Sequence, residues 1–124
     1  LGYPGETLRD IDETLKHLKL ANPDHFTLTL AYPIKGTAFY EEVSATLRVP
    51  ISGHFGDYSD RDLDFQRTYK PGFYRHAIRY VHHEMKAFGY NPGLKRFSPF
   101  FLKHWLIAQL SRSLMALYKK NENS

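Results

Sequence analysis

Two short turns hold the residues best suited to chemistry. The first is Gly2-Tyr3-Pro4-Gly5-Glu6-Thr7 and the second is Ala31-Tyr32-Pro33-Ile34-Lys35-Gly36-Thr37. Gly5 and Gly36 let a backbone approach a ligand closely, or bend where a β-carbon would clash. A glycine ahead of a helix often serves phosphate binding. Here Glu6, Asp10, Asp12 and Glu13 crowd the start of the following helix and would repel an anion. A neutral or cationic ligand fits better, and Glu6 can accept hydrogen bonds from hydroxyls or an ammonium group. The plainer role for Glu6 is to complement the helix dipole. Tyr32-Pro33 ends any strand before it, because proline cannot continue the ladder. The backbone groups of Ala31 to Ile34 are then expected to be free for something flat, such as a nucleobase edge, with Ile34 over its face. A Gly-Lys-Ser/Thr motif is absent, and no acid ends a following strand to hold a ribose.

Other chemistry is weaker. Seven histidines invite a metal, but His76 and His83 lie two helical turns apart and His82-His83-Glu84 lacks the second histidine of a zinc-protease helix. Cysteine is absent, so this segment forms no disulfide and no cysteine-bound cluster. Asp60-Arg61-Asp62 and Arg67 make either a charged lid over a substrate or, more simply, a solvated ion-pair network.

The elements that must position these turns follow from periodicity. Leu8, Ile11, Leu15 and Leu18 form one stripe and predict a helix over residues 7–20, capped by Thr7 with Asp10. Phe26, Leu28 and Leu30 alternate with Thr27 and Thr29, predicting a strand over 25–30. A short helix over 37–44, an edge strand over 45–52 and an ordered loop over 53–64 come next. Two helices over 73–88 and 99–118 complete the chain. The face of the first is Phe73, Ala77, Tyr80, Val81 and Met85. The stripe of the second is Leu102, Leu106, Leu110, Leu114 and Leu117, joined by Trp105 and Ile107.

Charge divides the 124-residue chain. Residues 1–69 hold 7 Lys/Arg and 11 Asp/Glu, whereas residues 70–120 hold 10 Lys/Arg and only Glu84. Attraction between the halves is the plain consequence, and an anionic partner for the basic half is the other. No nucleic-acid motif and no bilayer-spanning apolar run occurs, and without a signal peptide a cytoplasmic location is expected.

The two turns, in order and around an acidic helix with Pro23-Asp24 behind it, resemble the later half of the radical S-adenosylmethionine core. The second turn continues as Thr37-Ala38-Phe39-Tyr40 in the family's manner, with Lys35 where proline is frequent. The likeness covers about residues 1–88 and is strongest to the subgroup that often carries a cobalamin-binding domain. It implies an α/β fold: a fragment of a partial (β/α)6 TIM-like barrel with a mainly helical C-terminal extension, mostly α with one or two short strands when isolated. Residues 1–44 would be the last βα units, 45–72 a loop-rich connector and 73–124 the extension. The resemblance gives cofactor-binding roles to Gly2, Tyr3, Pro4, Gly5, Glu6, Tyr32, Pro33 and Ile34, around the adenine of S-adenosylmethionine. It implies a [4Fe-4S] cluster on cysteines outside this segment, with cobalamin as a further cofactor of the subgroup. No metal ligand and no catalytic acid, base or nucleophile is expected here. The expected partners are the rest of a parent chain, a small-molecule substrate, or a second copy joined through the exposed edge of 25–30. The competing reading is a non-catalytic module whose basic helices bind a protein or anionic partner.

Overall fold

The computed structural model describes residues 1–48, 59–89 and 98–119. Helix α1 spans Leu8–Ala21, α2 Ala38–Val43, α3 Pro71–Gly89 and α4 Pro99–Lys119, with single 3-10 turns at Ser44–Thr46 and Asp60–Asp62. The caps follow local chemistry. The Thr7 N–H and hydroxyl both donate to the Asp10 carboxylate, each at 2.7 Å. Asn22 ends α1 in the left-handed conformation, φ 43°, donating its N–H to Leu18 at 2.9 Å. Thr37 caps α2 by accepting the Tyr40 N–H at 3.2 Å. Helix α3 begins at Pro71, two residues earlier than predicted, because proline at the first helical position lacks only a donor that would have no partner there.

The α/β expectation is overturned. The described chain is mainly helical and contains no sheet, so it is not a βα barrel fragment. Residues 25–30 form no strand, although their burial alternates: Phe26, Leu28 and Leu30 pack on the core while His25, Thr27 and Thr29 are exposed. Side-chain alternation belongs to extended backbone, however, and does not supply a partner strand. One parallel rung forms, with Leu1 N donating to Thr29 O at 3.0 Å and Ala31 N to Leu1 O at 2.7 Å. The second expected strand is a lone antiparallel bridge between Arg48 and Asp64. Residues 49–52, and 53–58 of the expected loop, lie outside the described residues.

One core joins α1, α3 and α4 through Ile11, Leu15, Phe73, Tyr74, Val81 and Met115. The expected face of α3 is buried in full. The expected stripe of α4 is not: Leu102, Leu106, Leu110 and Leu117 are exposed by 51, 52, 57 and 66%. The face against α3 is instead His104, Ala108, Ser111 and Met115. Small side chains let two helix backbones approach more closely than leucines would. Position 72 shows the same economy of space, since a β-carbon on Gly72 would overlap the Tyr118 ring. Among the described residues no helix is long and apolar enough to cross a membrane.

The acidic and basic halves attract as their charges suggest. Arg112 grips Asp12 with both terminal nitrogens, Nη2 to Oδ2 at 2.9 Å, and also donates to the Tyr80 hydroxyl at 2.9 Å. Hydrogen bonding to Asp12 is the main reason the guanidinium holds its proton more firmly than usual. Lys19 reaches Glu84 at 2.7 Å, and Gln109 donates to the other Glu84 oxygen at 3.1 Å.

Candidate functional site

The two turns stand side by side. The Leu1–Ala31 hydrogen bond joins their bases, and the Tyr3 ring stacks on Phe39 at 4.2 Å. Phe39 in turn meets the Phe65 edge at 5.3 Å. Gly5 and Gly36 have φ of 80° and 82°, the region expected at bends that a side chain would strain.

Arg67 stands between them. It pairs with Asp64, donates to Ala31 O at 2.8 Å and lies over the Phe65 ring at 4.3 Å. Gly2 is buried beneath it, where a β-carbon would come within 3.0 Å of Arg67 Nε. That Nε is itself buried with no partner among the described residues. Arg67 therefore cross-links turn and connector, rather than simply lying in a solvated network.

Most of the expected ligand groups have internal partners. One Glu6 oxygen accepts the Gly2 N–H. Gly5 N donates to Thr68 Oγ1 at 3.0 Å. Both Ala31 backbone groups are used, and Ile34 O accepts the Thr37 N–H at 3.1 Å and hydroxyl at 2.7 Å. Pro33 is fully buried. The Tyr32 N–H and C=O and the Ile34 N–H form no hydrogen bond among the described residues, and the Ile34 side chain is exposed.

Three hollows adjoin these groups. One of about 310 Å³ is bordered by Tyr32, Arg61, Asp62, Asp64, Arg67 and Tyr74. Arg61 lies 5.8 Å from the centre of the Tyr32 ring. Ser59 donates to Asp62 at 2.8 Å from both its N–H and its hydroxyl, which holds that carboxyl below the usual range. A second hollow, about 340 Å³, is lined by Tyr3, Pro4, Gly5, Glu6 and Asp10. The third, about 350 Å³, runs from Pro4 and Gly5 to Gln66, Arg67 and Thr68. The turns thus touch at their bases but open into separate hollows, with Arg67 bordering both the Tyr32 hollow and the third one.

Two features escape a reading of the sequence. The Gly5–Thr68 bond joins residues 63 positions apart and has no local signature. His83 finds His104, not His76: their Nδ1 atoms lie 2.7 Å apart, so one imidazole donates and the other accepts. Burial is the main cause lowering the pKa of both. His76 packs near Tyr118 instead. Among the described residues no group of three His, Asp or Glu side chains could hold a metal ion.

No protein family, no curated protein and no solved structure matches this chain.

Proposed function

We propose that this chain provides the adenine-side wall of an S-adenosylmethionine site in a radical enzyme. The observation that carries the reading is the Tyr32–Ile34 backbone: one carbonyl and two amides lack partners among the described residues, and Tyr32 borders a hollow of about 310 Å³. Adenine presents an amino donor and ring-nitrogen acceptors, which such a carbonyl and amide complement. The exposed Ile34 side chain can cover its face. Order and spacing of the two turn motifs support the same reading, as does their contact through Tyr3 and Phe39. The second Glu6 oxygen is left for a polar contact in the neighbouring hollow, which Tyr32 does not border.

The sequence has no cysteine, so a [4Fe-4S] cluster would be held by residues outside it and the segment alone would be inactive. When bound, such a cluster supplies the electron that starts radical chemistry on the cofactor. This chain's residues would orient the adenosyl group and exclude water from it. With cobalamin in the same parent protein, the reaction class would be radical methyl transfer or an oxidative rearrangement.

The direct test titrates the chain with S-adenosylhomocysteine while following backbone amide resonances. The amides of Tyr32 and Ile34 should shift saturably, and Ile34→Pro, which deletes one donor, should weaken binding at least tenfold. Saturable shifts confined to other residues, or none, would end this reading. For the parent protein purified without oxygen, the test is an iron and cobalt count with release of 5′-deoxyadenosine.

A second reading has its own observation. Arg75, Arg79 and Lys86 recur along one side of α3 and form no ion pair among the described residues, while α4 turns its leucines outward. That surface suits a non-catalytic module binding a protein or anionic partner. A Cys-x3-Cys-x2-Cys motif encoded upstream would favour the enzyme, and a start codon close to Leu1 would favour the module. Pairing of two copies through residues 25–30 is part of the first proposal, since that segment has one rung of partner backbone among the described residues.

A further inference from the structure

A further hollow, not bordered by Tyr32, lies where the connector meets the start of α3. It measures about 630 Å³, and its rim includes Arg48, Asp64, Arg67, Lys70, Pro71 and Tyr118. Its charge is lopsided. Among the described residues Asp64 is the only acid on the rim, and it is engaged by Arg67. Arg48 and Lys70 are exposed and form no ion pair among the described residues.

The helix start adds to this excess. The N-terminus of a helix carries partial positive charge, and sequences ordinarily balance it with an acid in the first turn. Helix α1 follows that pattern with Asp10. Helix α3 has no acid in its first turn and is preceded directly by Lys70. A cation at that place opposes the helix dipole unless an anion lies nearby.

We propose that this hollow binds a small organic anion, a carboxylate or phosphate ester. Its charged group would sit between Arg48, Lys70 and the first turn of α3. Tyr118, whose ring packs against Gly72 at the same helix start, offers an aromatic surface for an apolar body next to that group. The inference does not depend on the adenine reading, because its anion would meet Arg48 and Lys70, which do not border the Tyr32 hollow, although Asp64, Arg67 and Pro71 border both hollows.

The test uses the whole chain and three probes: inorganic phosphate, phenyl phosphate and benzoate. Each is titrated at constant ionic strength, so that general screening is held fixed, with the Lys70 and Gly72 amides followed by resonance shift. Saturable binding is expected, with phenyl phosphate at least threefold tighter than phosphate. Comparing phenyl phosphate with benzoate distinguishes the two headgroups. The R48A/K70A double variant should weaken the best probe at least tenfold, and Lys70→Glu alone should weaken it as well. A thermal melt identifies any variant that fails to fold, in which case Lys70→Glu, changed only at an exposed side chain, decides. Failure of every probe to saturate, or affinity unchanged in folded variants, overturns the proposal.

Discussion

Helices α1 and α4 both carry a regular apolar stripe, yet only one stripe faces inward. In α1 the stripe and the buried face coincide, with Ile11 and Leu15 in the core and Leu8 and Leu18 beside them. The opposite side of α1 carries charge, so only one orientation hides the apolar residues. Helix α4 is apolar around most of its circumference. Spacing then identifies a stripe without saying which side meets the neighbour. Closeness decides: Ala108 and Ser111 face α3, where Ala77 and Ala87 are also buried, and the larger leucines remain outside. Periodicity thus reads orientation well when the other face is polar and poorly when both faces are apolar.

Substitutions can break this contrast. The largest effect is expected at Ala108, which has no exposed surface. Ala108→Glu would bury an unpaired carboxylate against α3 and should destabilise the chain by about 3 kcal/mol or more in urea unfolding. Leu15→Ala, in the core of α1, should cost about 2–4 kcal/mol. At the far end of the scale, Leu106→Lys and Leu110→Lys on α4 should each change stability by no more than about 0.5 kcal/mol, because both sites are surface positions in this chain. A loss of several kcal/mol from either lysine would mean that the outer stripe is covered after all.

Acid should sharpen the contrast in a different way. Burial lowers the pKa of His83, His104 and His76 below the ordinary value of 6.5. Their charged forms are therefore disfavoured by folding. The stability they carry is complete above pH 6.5 and is lost as pH falls through 6.5 toward the lower folded-state values. Protonating both members of the His83–His104 pair also removes its hydrogen bond. Arg79, Lys86, Lys103 and His82 nearby add to the repulsion, whereas Glu84 is engaged by Lys19 and Gln109. The urea midpoint should fall on acidification from pH 7 to pH 5, and His83→Gln should flatten that dependence.

What the sequence revealed was chiefly local. Thr7 with Asp10, Thr37 at α2 and the inward face of α3 are written within a few residues of where they act. The facing of residues 25–30 was equally legible, since alternation fixes which side each residue turns to the core. A sheet was not, because pairing depends on a second segment and alternation says nothing of its presence. The candidate site divides along the same line. The two turns touch at their bases yet open into separate hollows, which their order in the chain does not show, and the occupation of Glu6, Gly5 and Ala31 by Gly2, Thr68 and Arg67 was not legible either. Two of those three bonds cross 36 or 63 residues of chain. Connections of that span arise from packing and leave no spacing to read.

One missing methyl group governs the geometry of the basic end. Alanine is intrinsically better than glycine inside a helix by about 1 kcal/mol, and glycine occupies position 72 even so. The Tyr118 ring fills the space where that methyl would be. Gly72→Ala would therefore act as a wedge, lifting the last turn of α4 away from α3 even while favouring α3 itself. Tyr118 also borders the hollow of about 630 Å³, so the width of its mouth is set by an atom that the chain does without.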